Sequence, residues 1–213
     1  MIRYLIAWLM IVGLGGCGMV TSTRPLFGPS DFTGAPSVKP GLWALFEQGC
    51  KFNLQAPPGK WPKCAFAMTL SDGTISDPTP DPQGNVDDPV DFQIVAGDPA
   101  IVQVKASSHE VDYVYFGIRP MAVDQAGLVT QARIWAALCA KPAAQEGAKP
   151  SRPLPGLIIN AGGDGGCEAR AARPLRNAVA QSETWLFPSQ DHAPGWTGRW
   201  VSEMPRRALF HDR

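Results

Sequence analysis

The chain has no apolar run long enough to cross a bilayer as a helix: its longest hydrophobic stretch, Tyr4 to Val12, is about half of the ~20 residues that a span requires. Charge is scarce as well, at 18% of residues with a formal net charge of zero, which excludes a broad electrostatic nucleic-acid surface. With 45% hydrophobic residues the composition also excludes a wholly disordered chain. No Cys-x-x-Cys pair exists, and His109, His192 and His211 show no His-x-x-x-His spacing, so neither a metal nor a cofactor is expected. Gly-x-Ser-x-Gly is missing, which removes the nucleophile elbow of α/β-hydrolases. The Gly162–Gly166 run is followed by Cys167-Glu168 rather than Lys-Ser/Thr, so it cannot be a phosphate loop of the Walker type.

What is present begins at the N-terminus. Met1-Ile2-Arg3 precedes the apolar stretch, which closes on small residues in Leu14-Gly15-Gly16-Cys17. A short apolar core with a basic start and small residues at its end reads as a secretory signal over residues 1–16. The tetrapeptide resembles the lipobox of bacterial lipoproteins. That resemblance implies a diacylglycerol on Cys17, cleavage before it, and a bilayer as the partner of the acylated residue; two or three acyl chains anchor stably where one does not. Gly18, in place of aspartate, implies sorting to the outer membrane with the domain facing the periplasm.

Four further cysteines, Cys50, Cys64, Cys139 and Cys167, form an even set in an exported chain and are expected as two disulfides. Three pairings are open, and proximity favours Cys50 with Cys64 and Cys139 with Cys167. Residues 17–39, rich in Thr, Ser, Pro and Gly, have the composition of a flexible tether behind the lipid. Residues 40–213 form a single β-rich periplasmic domain.

Within that domain, Pro40 to Phe46 and Cys64 to Leu70 read as strands, and Asp72-Gly73 as the tight turn of a hairpin returning through Thr74-Ile75. Residues 76–89 carry prolines too closely spaced to enter a sheet. Val90 to Ala96, Ala100 to Ala106, Val111 to Ile118 and Leu128 to Cys139 are further strands, by alternation or β-branched content. Leu157 to Asn160 and Gly198 to Val201 are shorter ones. One helix starts near Pro174, with Leu175, Ala178, Val179 and Ser182 on its inner face. The fold class is mainly β with an α+β element: an antiparallel sandwich or partly closed barrel of about seven strands with one C-terminal helix.

The charge is unevenly spread, acidic from Asp72 to Asp124 and basic from Arg133 onward, as two complementary halves of one fold would be. The acidic loop (Asp77, Asp81, Asp87, Asp88, Asp91) does not follow a calcium-loop pattern and reads as solvated. Ser107-Ser108-His109-Glu110 and Asp191-His192 set histidine beside carboxylate, but sequence neighbours on a turn rarely face each other as a catalytic set does. Of the tryptophans, Trp196 and Trp200, with Arg199 between them and Gly195 and Gly198 beside them, are the candidate ligand face.

The lipobox together with Arg24-Pro25-Leu26-Phe27-Gly28-Pro29, Lys39-Pro40-Gly41-Leu42-Trp43, Trp61-Pro62-Lys63-Cys64 and the helix Leu175-Arg176-Asn177-Ala178-Val179-Ala180 resembles small lipoproteins of alphaproteobacteria. The likeness covers most of the chain and implies an address, with no reaction attached and no catalytic residues to carry over. The expected function is a non-enzymatic binding or structural module of the envelope, taking a small apolar or glycan ligand or an envelope protein. The alternative is a periplasmic hydrolase using His109 or His192 with a nearby carboxylate.

Overall fold

The computed structural model of the chain describes residues 18–79, 88–106, 113–142, 152–160, 166–187 and 195–203. Eight antiparallel strands close into a barrel: β2 (Gly41–Glu47), β3 (Ala65–Ser71), β4 (Thr74–Ser76), β5 (Val90–Val95), β6 (Ala100–Lys105), β7 (Tyr113–Val123), β8 (Val129–Ala136) and β11 (Trp196–Ser202). Each hydrogen-bonds to the next in this order, β11 returns to β2, and the β6–β7 pairing leaves no open edge in the ring. The mainly β expectation is met, in the form of a closed barrel. Its turns follow from the residues: Asp72 at φ 45° and Gly73 at φ 79° supply the two left-handed positions of a hairpin between β3 and β4.

Directly paired residues face the same side of a sheet, so the register sorts the barrel into two faces. Trp43 stands opposite both Met68 and Trp200, Leu45 opposite Phe66, Ile75 opposite Val90, Val104 opposite Phe92, and Phe116 opposite Val102 and Ala136. This face turns inward, since the opposite face carries Trp135, whose indole N–H meets the Val179 carbonyl of the helix laid on the outside of the barrel. The alternate residues Thr69, Ser71, Asp91, Gln93, Lys105, Arg133 and Arg199 face out. A period of two, apolar inside and polar outside, thus selects the strand register.

Over β6, β7 and β8 the outward face is covered too, and a second core lies there. Helix α1 (Ala172–Leu186) lays Leu175, Ala178, Val179, Ser182 and Leu186 on it, the inner face expected from the 3.6-residue period extended by one turn. Buried Ser182 is satisfied twice: its hydroxyl donates to the Ala178 carbonyl at 2.7 Å and accepts the Leu138 N–H at 2.8 Å. Arg119 on β7 clamps the helix through both oxygens of Glu183, at 2.6 and 2.9 Å, and reaches Asp98 at 2.8 Å. Hydrogen bonding to Glu183 raises the pKa of Arg119 above its already high value.

Residues 18–39, expected as a tether, are instead part of this second layer. Val20–Ser22 form β1, which pairs with β7 and, in parallel, with β10 (Cys167–Ala169); β9 (Leu157–Ile159) adds to β10. From Ser22 the chain runs as a strap across β7, β6 and β5: Phe27 is buried against Tyr115, the Leu26 N–H donates to the Gln103 carboxamide at 3.1 Å, and Asp31 accepts the Ala96 N–H through its carbonyl. Gln103, an outward residue that alternation alone would leave in water, is therefore buried. The strap ends where Val38 bridges Val129, and β2 begins. A single 3-10 turn at Pro29–Phe32 bends it over β5.

Tyr115 is the polar centre of the strap. Its hydroxyl lies 2.6 Å from the Ser22 Oγ, which itself donates to the Arg24 carbonyl, and burial pushes its pKa up to about 12. The folded state therefore holds the phenol proton more tightly than the unfolded state does. Stability from this group is complete below pH 10 and is lost as pH rises toward 12, at about 1.4 kcal/mol per pH unit and about 3 kcal/mol in all. Urea titrations between pH 9 and 12 should show wild type losing about 2 to 3 kcal/mol relative to Tyr115→Phe; parallel curves would refute the assignment.

Candidate functional site

The barrel interior is lined by apolar residues on every strand. Burial divides it. On the β6–β7 side, the inward residues Ala100, Val102, Val104, Phe116 and Ile118 are fully buried. On β3, β4 and β5, the inward residues Phe66, Met68, Ile75, Val90, Phe92 and Ile94 are only half-buried, although they point into the barrel and Leu70 beside them is buried. These side chains pack against the buried core and keep part of their apolar surface in contact with water.

The three residues of the sequence-derived ligand face divide across β11. Trp196 and Trp200 project inward and Arg199 outward, because successive strand residues alternate. The tryptophans are half-buried rather than forming an exposed face. Trp200 is committed to closing one barrel end: its N–H donates to the Pro40 carbonyl at 3.0 Å, and the Lys39 ammonium sits 4.4 Å from its ring centre. Lys39 in turn pairs with Asp124 at 3.0 Å, and this contact holds the Asp124 carboxyl below its usual pKa. Gly41, at φ 130°, lets the β11 backbone and the Trp200 indole cross where any Cβ would collide. The indole of Trp196, at the opposite end of β11 between Glu47 and Ile134, makes no hydrogen bond or ring contact among the described residues. It is the aromatic left available at the other mouth.

The remaining candidates are quickly placed. The disulfides join Cys50 to Cys64 and Cys139 to Cys167, each with Cα atoms 5.8 Å apart. Cys17, His109, His192 and His211 lie outside the described residues, as do Asp81 and Asp87 of the acidic loop and Gly162 to Gly165. Among the described residues no group of His, Cys, Asp or Glu could hold a metal ion, and no helix is long and apolar enough to cross a membrane. A shallow depression of about 220 Å³ lies between the strap and the β6–β7 end of the barrel, lined by Gly34, Pro36, Asp98, Pro99 and Arg119 among others. Its one cation, Arg119, is already taken by Glu183 and Asp98, which leaves the depression without a charge to offer a ligand.

Sequence reasoning missed the inward wall of β3–β5. The alternation Phe66, Met68, Leu70 is visible in the sequence, but the half-burial depends on how the ring closes, which no local pattern encodes. Comparison of the chain with family models, with curated proteins and with solved structures finds no match.

Proposed function

We propose that the protein is a lipid-anchored envelope binding module that takes an apolar ligand into the barrel lumen. The observation that carries this reading is the inward yet half-buried set Phe66, Met68, Ile75, Phe92 and Ile94. A pocket with apolar walls and few polar groups suits an acyl chain or another uncharged hydrophobic molecule. The sorted faces support it: no charged side chain lies between Gly41 and Leu45, Phe66 and Leu70, or Val90 and Ile94 on the inward side, so a glycan would find no partners for its hydroxyls there. Glu47 and Trp196 face each other at one mouth and supply a polar and an aromatic group there.

The anchor rests on the lipobox and Cys17, with the outer membrane as its expected site and the periplasm as the compartment. The two cystines support an oxidising environment. Palmitate labelling of the full chain should disappear on Cys17→Ala; unchanged labelling would overturn the anchor.

The lumen reading is tested by titrating a protein spanning residues 18–213 with N-phenyl-1-naphthylamine, whose fluorescence rises in apolar surroundings. Saturable, one-to-one enhancement is expected. Met68→Glu combined with Phe92→Glu should weaken it by about two orders of magnitude, because a desolvated carboxylate would face the probe. Both positions also pack against the core, so a lower unfolding midpoint is expected as well, and binding is compared at a temperature where both proteins are folded. Absence of saturable binding, or equal binding by the double variant, sinks the proposal.

A further inference from the structure

We infer that the edge strand β9, with Lys141 and Arg152 beside it, is a docking surface for an anionic bilayer, which seats the domain flush on the membrane in one orientation. The inference rests on acylation of Cys17. Its starting point is that nothing separates the anchor from the fold: Gly18, the next residue, already accepts the Cys139 N–H at 3.0 Å, and Met19 accepts the Cys167 N–H at 3.3 Å. Without a tether, the acylated residue is held within about 10 Å of Val20, the reach of three extended residues. Whatever surrounds Gly18 must then meet the headgroups.

The sheet places β9 there. Val20 is in register with Cys167, and Cys167 with Ile159, so Ile159 lies two strand spacings, about 10 Å, from Val20. The N-terminal ends of β1 and β10 and the C-terminal end of β9 share one sheet end, the end from which the chain leaves toward Cys17. Ile159 is 61% exposed and Ile158 44%, on opposite faces of this edge strand. Large aliphatic residues adjacent on a sheet edge are costly in water, whereas at an interface they enter the acyl boundary. The cations are in the same place. The Leu154 N–H donates to the Cys139 carbonyl at 2.8 Å, which brings the segment of exposed Arg152 beside that of exposed Lys141, and neither forms an ion pair among the described residues. Unpaired basic groups beside an apolar edge complement anionic lipid.

The other exposed apolar pair, Met121 and Val123, competes for this role and loses on distance. Thr21 pairs with Val114 in an antiparallel register, which sets Val20 level with Tyr115, and Val123 lies eight residues further along β7, about 26 Å away against about 10 Å for Ile159.

The test uses the acylated full chain in vesicles of phosphatidylethanolamine and phosphatidylglycerol that contain a phospholipid with a photoactivatable diazirine. After irradiation, adducts are expected on the peptide carrying Ile158 and Ile159. The double variant Ile158→Ser/Ile159→Ser should yield about tenfold fewer, with an unchanged unfolding midpoint because both residues are exposed. Lys141→Glu/Arg152→Glu, or neutral phosphatidylcholine vesicles, should also lower the yield. Adducts on the Met121–Val123 peptide instead, adducts indifferent to the isoleucine substitutions, or a cross-link from β9 to a second protein chain would overturn the proposal. Palmitate labelling separates the two failures: labelled Cys17 without β9 adducts removes the docking surface alone, and unlabelled Cys17 removes the anchor and the docking surface with it.

Discussion

Trp135→Ala is expected to destabilise the protein by about 4 kcal/mol, enough to threaten folding of a domain whose total stability is on the order of 10 kcal/mol. Trp135 is fully buried on the outer face of β8, between the barrel and α1. Its indole N–H donates to the Val179 carbonyl at 2.9 Å, and its ring meets Phe187 edge-on at 5.9 Å. Beneath it lies Gly117, directly across the β7–β8 ladder, where any Cβ would overlap the indole. Truncation therefore removes a large apolar area, opens a cavity between two rigid layers, and deletes a hydrogen bond that ties helix to sheet.

Two companion variants separate these contributions in urea denaturation. Trp135→Phe keeps most of the volume and leaves the Val179 carbonyl within its helix, so a loss of about 1 to 2 kcal/mol is expected. Gly117→Ala should cost about 1 to 3 kcal/mol through overpacking, since the indole cannot retreat from the helix. If Trp135→Ala cost less than Trp135→Phe, or Gly117→Ala were neutral, the helix would not depend on this contact.

The same region shows how much of the fold was legible. The helix was, with all of its buried residues but Leu186, because a 3.6-residue period needs only local sequence. The strands of the barrel were legible for a similar reason, and Asp72-Gly73 fixed one hairpin by backbone chemistry alone. The strap was not. Its anchors, Val20, Ser22 and Phe27, are too widely spaced to show a period, and three-residue β1 is too short to alternate visibly. Prolines and glycines that look like those of a linker serve there to turn the chain across β5, β6 and β7. Missing the strap also hid the second core, since the outer burial of Gln103, Tyr115 and Trp135 contradicts a one-faced strand pattern. For the candidate site, the sequence offered Trp196, Trp200 and Arg199 as a unit. Alternation along β11 alone would have separated Arg199 from the tryptophans, but which side was the lumen required the closed ring.

Replacing Cys139 and Cys167 together by serine should cost about 3 to 4 kcal/mol, from the entropy regained by a loop of 28 residues in the unfolded chain. Removing the Cys50–Cys64 bridge, whose loop spans 14, should cost slightly less, about 3 kcal/mol. Their consequences differ more than their energies. Cys50 and Cys64 are half-buried beside the Phe46, Phe52 and Trp61 cluster, whereas Cys167 is wholly enclosed and Cys139 nearly so. Dithiothreitol under native conditions should therefore open the first bridge and leave the second intact until the protein unfolds, as alkylation and peptide mass mapping would reveal.

The second bridge also straddles β1. The Cys139 N–H donates to Gly18 on one side and the Cys167 N–H to Met19 on the other, so the cystine fastens the two chains that grip the residues next to Cys17. In the Cys139→Ser/Cys167→Ser variant, amide hydrogen exchange at Val20, whose N–H donates to the Ala137 carbonyl at 2.8 Å, should accelerate ahead of the barrel strands. Exchange that accelerates equally at Val20 and in β2 would mean that the bridge stabilises the whole domain and not β1 in particular. β1 is held to Cys139 and Cys167 by hydrogen bonds alone, so the bridge acts on it by keeping its two neighbours in place.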